Sequence, residues 1–172
     1  MNNRRLIQEW LLGVRIMSIA HERLSERYSR RHLHLGWPTI IFTAAASTTI
    51  LVNLSNNVPN LVRYIACCLG FIAVTFASLQ TFFGFSSLSQ KHKTARDRFS
   101  NLRREMETIL TKQSSEKELE VLIEKIREKW SIIQADSPNV PQAIHDSARA
   151  KLIEELKKRV AQKCNKPKIQ ST

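Results

Sequence analysis

The fold is decided by two neighbouring stretches of sequence, LGWPTIIFTAAASTTILVNLSNNVPNLV at residues 35–62 and YIACCLGFIAVTFASLQTFFGFSSLSQ at residues 64–90. Neither contains Asp, Glu, Lys or Arg; they are 28 and 27 residues long, and only Arg63 separates them. Because a bilayer core of ~30 Å needs roughly 20 apolar residues of helix, each stretch is long enough to cross a membrane once. The sequence therefore predicts a transmembrane hairpin, with spans at about 36–54 and 64–85.

Positive charge lies almost wholly at the two ends of the chain. Seven Lys or Arg residues precede residue 35, 19 follow residue 85 and one lies between, in a chain of 172 residues with a net charge of +12. Because Lys and Arg stay on the cytoplasmic side of a bilayer, this bias predicts a multi-pass protein of the inner membrane with both termini in the cytoplasm. The first 34 residues lack an apolar core of signal-peptide length, so we expect the first span to be an uncleaved anchor.

Helical periodicity governs the polar ends. Residues 4–30 carry apolar side chains at steps of three and four, which is typical of an amphipathic helix. The same period continues beyond the second span, so we expect that helix to run on as far as Thr111. Ser115 and Glu118 form a capping-box pair that opens another helix. The segment Ser137-Pro-Asn-Val-Pro141 ends it, and a last helix follows over about 142–162.

These elements predict an all-α membrane protein that forms homo-oligomers. We expect a cytoplasmic amphipathic helix at 1–34, the transmembrane hairpin at 35–85, a cytoplasmic helical bundle at 86–163 and a disordered tail at 164–172. The apolar faces of the cytoplasmic helices have two interpretations, packing within the chain or pairing between subunits as a coiled coil. Both stay open from the sequence.

Polar residues within the spans are the candidates for function. Gln80 carries four hydrogen-bonding capacities and is not expected to face acyl chains unsatisfied. Hydroxyl side chains can bond to carbonyls of their own helix, so helix packing and a water-accessible lining both stay open. Two spans cannot enclose a path in one chain, so a pore needs several copies. Its candidate lining is Thr39, Thr43, Ser47 and Gln80.

Three further sets of residues have expected roles. Small side chains let helices approach closely in lipid, which predicts span packing through Ala66, Gly70, Ala73, Ala77 and Gly84. Anionic lipids attract basic residues near the cytoplasmic leaflet by about 1 kcal/mol each, which predicts lipid contacts for Arg30, Arg31, Lys91 and Lys93. The candidate interface for a soluble partner comprises Phe99, Leu102 and Trp130.

The sequence contains no catalytic constellation. It has no glycine-rich phosphate loop, and its closest histidines, His32 and His34, have no third metal ligand nearby in sequence. We therefore expect neither an enzyme nor a bound cofactor or metal. A net charge of +12 suits nucleic acid, but without an aromatic stacking platform or a known motif we do not expect it as a partner.

The order of these segments resembles one family. Arg30-Arg31-His32 and a Trp-Pro pair precede the first span, and the second span ends GFIAVTFASLQTFFG at residues 70–84. The exit helix reads SQKHKTARDRFSNLRRE at residues 89–105, and Ser137-Pro-Asn-Val-Pro141 follows the capped helix. Over residues 4–160 the chain resembles the SLATT family, the SMODS and SLOG-associating two-transmembrane effector domains.

The resemblance implies a role in bacterial conflict or anti-phage systems. Members of the family are proposed to permeabilise a membrane when a partner senses infection, so the implied partners are further copies of the chain and a separate nucleotide-signalling or sensor protein. No sensor domain is fused within the sequence, so the trigger is expected from another protein, a ligand or assembly. The alternative is a non-conducting scaffold or membrane-shaping protein that docks a soluble partner through its cytoplasmic helices.

Overall fold

The computed structural model describes residues 3–53, 59–112 and 115–164. These residues form α1 (Asn3–Asn53), α2 (Asn60–Phe83), α3 (Phe85–Thr111), α4 (Glu116–Asp136) and α5 (Gln142–Cys164). No strand occurs in the described ranges, which confirms the all-α prediction. The chain divides into two compact units, unit 1 (Met1–Leu24 and Lys91–Thr172) and unit 2 (Ser25–Gln90).

Helix α1 joins the predicted amphipathic helix to the first charge-free stretch without interruption. We expected the amphipathic helix to end near residue 34, before the hairpin; instead Pro38 lies inside a helix of 51 residues. Proline has no N–H to donate to the carbonyl four residues earlier, and the helix continues through it. One residue later the Thr39 hydroxyl donates to the Leu35 carbonyl at 2.9 Å. The predicted end of this span at Leu54 lies outside the described residues.

The second predicted helix is interrupted at Gly84. We expected one helix from the second span to Thr111, but α2 ends at Phe83 and Gly84 adopts the left-handed conformation, with φ 53° and ψ 31°. Glycine takes this conformation without the Cβ clash of other residues. Helix α3 starts immediately, with the Leu88 N–H donating to the Gly84 carbonyl at 3.1 Å. The predicted end of the exit helix at Thr111 is confirmed.

Unit 1 is a helical bundle with one main apolar core. The first half of α1 packs with α3 and α4, and α5 contributes the buried Ala148 and Leu152. Packing within the chain thus accounts for the apolar faces predicted for these helices. The buried members of the main core are Ile7, Val14, Phe99, Leu102, Met106, Ile109, Leu119 and Ile126.

The start of α4 confirms the predicted capping box. The Ser115 N–H donates to the Glu118 carboxylate at 3.1 Å, and the Glu118 N–H donates to the Ser115 hydroxyl at 3.4 Å. Helix α4 then ends at Asp136, before the predicted proline-containing break. Helix α5 extends to Cys164, which we had placed in the tail; the rest of that tail, residues 165–172, lies outside the described residues.

Replacing Gly84 by Ala should lower the free energy of unfolding by about 1 kcal/mol, because an L side chain at φ +53° is strained. Gly70→Ala is the matched control, since a Cβ there meets no atom within 4 Å. The control should leave stability unchanged or raise it slightly. Unfolding by dodecyl sulfate in mixed micelles, followed by far-UV circular dichroism, measures both. Equal losses for the two variants would contradict the assigned role of Gly84.

Candidate functional site

Unit 2 presents an apolar surface that the rest of its described residues do not cover. Of the 18 exposed large hydrophobic residues, 13 belong to unit 2, and in α2 only Ala73 is buried. Phe82 and Phe71 keep 83% and 77% of their surface exposed. We call these 13 residues the exposed apolar set: Leu33, Trp37, Ile40, Ile41, Leu61, Tyr64, Ile65, Phe71, Ile72, Val74, Leu79, Phe82 and Phe83. An uncovered apolar surface of this kind is typical of a membrane or protein contact.

Within the described ranges, one helical run has the length and apolarity to cross a membrane, Asn60–Thr111, which includes α2. The charge-free end of α1 is also helical, as far as Asn53. The structure therefore supports a membrane protein with at least one crossing helix.

The three hydroxyl residues of the candidate lining are satisfied by their own helix. Thr39 donates to Leu35 at 2.9 Å, Thr43 to the Thr39 carbonyl at 2.7 Å, and Ser47 to the Thr43 carbonyl at 2.8 Å. Each hydroxyl thus has a hydrogen-bond partner inside α1, so these side chains tolerate an apolar environment without water. Thr43 and Ser47 are exposed on the helix surface, and Thr39 is half-buried.

Gln80 is different, because its partner lies on another helix. Its amide nitrogen is 3.2 Å from Nδ1 and 3.4 Å from Nε2 of His32, so the amide reaches one of the two imidazole nitrogens according to the tautomer. Gly36 lies next to this contact, since a Cβ there would lie 3.6 Å from the amide nitrogen, which is an ordinary van der Waals distance. We expected a partner for Gln80 and did not identify His32. The sequence contained a signal for this contact, because His32 is a polar side chain close to the first charge-free stretch.

The small residues of α2 divide into three groups. Ala73 is 6% exposed and packs in unit 2, where Ala46 of α1 is also buried and the rings of Phe42 and Phe76 stack at 6.0 Å. Close packing of the two helices thus centres on alanines and aromatic rings. Ala66, Gly70 and Ala77 are half-buried. Gly84 ends α2 by its left-handed conformation, which is the role that the structure gives it.

The four basic residues predicted at the membrane surface are all exposed. Arg30 lies 3.9 Å from Glu26 one turn earlier, and the Arg31 guanidinium lies 5.9 Å from the centre of the Phe85 ring. That cation–π contact directs one positive charge next to an aromatic residue of unit 2. Lys91 and Lys93 belong to unit 1 and stand at the start of its α3 segment.

The three residues predicted to bind a soluble partner lie in or against the core of unit 1. Phe99 and Leu102 are 0% and 2% exposed. Trp130 packs edge-on against Trp10 at 5.8 Å, and its ring closely approaches Gly13. Packing within the chain therefore accounts for all three side chains, and they offer little surface to another protein.

Unit 1 also buries two histidines in contact with each other. Nδ1 of His21 lies 2.9 Å from Nδ1 of His92, and the His21 ring stacks on Phe99 at 5.5 Å. Burial, and then the charge of His92, lower the pKa of His21 from 6.5 to about 4. Burial also lowers the pKa of His92. Both rings are therefore neutral at pH 7, and one Nδ1–H donates to the other nitrogen. In the described part of the chain, no three metal-binding side chains lie together.

The comparison with protein families identifies the class of this chain. The family described as "SMODS and SLOG-associating 2TM effector domain family 4" matches residues 14–155. This range covers most of the chain, so the chain belongs to the SLATT family, as its segments predicted. The family description makes it a two-transmembrane effector domain associated with SMODS and SLOG proteins. No curated protein and no solved structure matches the chain.

The buried histidine predicts a fall in stability at acidic pH. In the folded chain His21 has a pKa of about 4, below the 6.5 of the unfolded chain, so between these values only the unfolded state binds the proton. Stability is therefore full above pH 6.5 and falls as the pH drops towards 4. From pH 7.5 to 5.0 the loss should be about 2 kcal/mol, read from unfolding curves at each pH.

His21→Leu should flatten this dependence on pH. Phe99→Leu is the matched control, because it changes the ring stacked on His21 without removing a titratable group. It should lower stability at both pH values by a similar amount and keep the slope. A slope that survives in His21→Leu would show that another group causes the loss.

Proposed function

We propose that this protein is an effector that self-associates through a transmembrane hairpin and permeabilises a membrane when a separate sensor or ligand activates it. The observation that carries the proposal is the exposed apolar set, together with membership of a family of two-transmembrane effectors. In water, exposed apolar surface costs about 25 cal/mol per Å². Lipid removes that cost without any further protein.

The two crossing segments of the proposal are α2 and the charge-free end of α1. Stacked Phe42 and Phe76, and the buried Ala46 and Ala73, hold these helices together. The family description, which names two transmembrane segments, supports two crossings. The charge bias, 26 Lys and Arg at the ends against Arg63 alone, favours cytoplasmic termini and the inner membrane. Arg30, Arg31, Lys91 and Lys93 then meet anionic lipid at the cytoplasmic leaflet.

Self-association is required because two helices cannot surround a water-filled path. Gly70 supports it, since a Cβ at this position meets no atom within 4 Å and its backbone is open to a neighbouring helix in lipid. In the proposed assembly Thr39, Thr43, Ser47 and Gln80 face the path. The hydroxyls need no change of partner, and Gln80 keeps its contact with His32 while its other hydrogen-bonding groups meet water or another copy in the open path.

The trigger is a separate molecule in this proposal. The family description associates these domains with SMODS and SLOG proteins, which supports a nucleotide-signalling or sensor protein as the partner. An activator shifts a closed assembly to an open one only if it binds the open state more tightly. The scaffold alternative gains no support from Phe99, Leu102 or Trp130, which serve the core, and it becomes an outcome of the leakage test below.

Protein reconstituted in liposomes with its co-expressed partner should release an entrapped dye, and Gln80→Leu should lower the release rate by roughly tenfold. Loss of a polar contact between membrane helices is worth about 1–2 kcal/mol, which sets this magnitude. Thr81→Val is the matched control: Thr81 is adjacent and exposed, and its hydroxyl donates to the Ala77 carbonyl of its own helix at 3.0 Å. The control should leak like the wild type.

His32→Leu tests the same contact from the other helix. It should reduce leakage like Gln80→Leu, and the double variant should be no worse than either single variant, because one interaction is lost in all three. Equal reconstitution and equal helicity by circular dichroism must accompany the comparison. If the wild type releases no dye at any density with the co-expressed partner present, the pore proposal is wrong and the scaffold is favoured.

The proposed topology predicts where proteases act. Tags placed at the two termini should both be digested in inside-out membrane vesicles and both be protected in right-side-out vesicles. Arg63→Cys should show the opposite accessibility to an impermeant thiol reagent in a chain lacking Cys67, Cys68 and Cys164. Digestion of the two tags from opposite sides would exclude a hairpin.

A further inference from the structure

A basic cleft lies within unit 1, separate from every residue used in the proposed function. Its volume is about 510 Å³, and helices α1, α3 and α5 supply its walls. Pockets of some 300–1,000 Å³ are the usual size for small-molecule sites. The cationic residues that line it are Arg15, Arg96, Arg103, Arg104 and Lys151.

Acidic groups neutralise only part of this charge. The carboxylates that line the cleft are Glu22, Asp97 and Glu155, so the lining carries five positive and three negative charges, a net of +2. Arg15 lies 3.4 Å from Glu155, and Arg96 lies 2.7 Å from Asp97 and 3.5 Å from Glu22. Hydrogen bonding to Asp97 raises the pKa of Arg96, so this guanidinium stays charged.

Two cations of the cleft have no such partner. Among the described residues, neither Arg104 nor Lys151 has a carboxylate within ion-pair distance. They stand on different helices, α3 and α5, and both line the same cleft. Two cations on different helices of one cleft, neither paired with a carboxylate of the described residues, attract an anion that carries more than one negative charge.

The remaining residues that line the cleft indicate which kind of ligand it can bind. Ser18, Ser100 and Asn101 add neutral hydrogen-bonding groups, and the hydroxyls of Ser18 and Ser100 lie 3.0 Å apart. The lining includes one apolar side chain, Ile19, and no aromatic ring on which a base could stack. Recognition must therefore rest on charge and hydrogen bonds.

We propose that this cleft binds a small molecule through a chain of phosphate groups. Four of the five cations are arginines, whose planar donors match phosphate oxygens in pairs, and the serines supply further donors. The phosphates carry the binding, so inorganic triphosphate binds as well as a nucleoside triphosphate. The proposal does not depend on pore formation, since binding is measured on the protein directly.

Titration calorimetry with inorganic triphosphate tests the proposal, using the full chain in nanodiscs of zwitterionic lipid. The wild type should bind one equivalent per chain, and affinity should fall as salt rises from 50 to 300 mM. The double variant R104Q/K151Q should bind at least about tenfold more weakly, because two charge-assisted contacts are lost. It breaks no ion pair, so unchanged circular dichroism should show that it folds.

The matched control is K125Q/K157Q, which removes the same charge from exposed positions on α4 and α5 outside the cleft. It should bind like the wild type. Glu155→Gln tests the cleft in the opposite direction, since it removes a carboxylate and should tighten binding several-fold. Equal weakening in the two double variants, or an unchanged affinity in R104Q/K151Q, would overturn the assignment of the site.

Three further titrations define the chemistry of the ligand. Citrate, which has a similar charge without phosphorus, should bind at least tenfold more weakly, and equal binding would overturn the choice of phosphate. Adenosine triphosphate should match inorganic triphosphate; a large preference for the nucleotide would overturn recognition by phosphates alone. Repeating the titration in nanodiscs of phosphatidylglycerol separates the two sources of phosphate. Unchanged affinity for triphosphate supports a soluble ligand. A weaker affinity shows that the lipid headgroups compete for the cleft and assigns the cleft to them.

Discussion

The uncovered apolar surface of unit 2 sets the conditions for the rest of the structure. Thirteen large apolar side chains of the described residues there are exposed, and Phe82 and Phe71 keep most of their surface exposed. A lipid environment satisfies them, but it imposes a second requirement, since no water is present to bond free polar groups. Helical backbone meets that requirement for the main chain. This explains why α1 continues through Pro38 and why α2 runs without a break to Phe83.

The polar side chains of unit 2 follow the same requirement in two ways. Short hydroxyls return to carbonyls of their own helix, as Thr43 does at 2.7 Å, and so place no demand on a neighbour. Gln80 is too long and has too many hydrogen-bonding groups for that solution, and it reaches across to His32. In the proposed pore, Gln80 is therefore the position whose contact with another helix distinguishes a pore from a passive anchor, and the hydroxyl residues are not.

Unit 1 differs from unit 2 because its helices bury their apolar faces against one another. The same core holds the neutral His21–His92 pair and confines Phe99 and Leu102. Its surface, in contrast, concentrates charge, and in the cleft between α1, α3 and α5 no carboxylate of the described residues pairs with Arg104 or Lys151. The proposed phosphate site in this unit and the polar contact in the other can be tested separately, since their variants do not overlap.

The sequence by itself determined the helical class, the charge-free stretches, the capping box at Ser115 and the ends of α3 and α4, because these depend on local rules of period, capping and charge. It also determined the family. The tertiary structure decided what depends on neighbours distant in the chain. It brought His32 to Gln80 and His21 to His92, and it placed Arg104 and Lys151 in one cleft. Gly84 illustrates this division. The sequence shows that the residue is a glycine and can adopt a left-handed conformation, but only the tertiary structure shows that it ends a helix there and does not pack against another one.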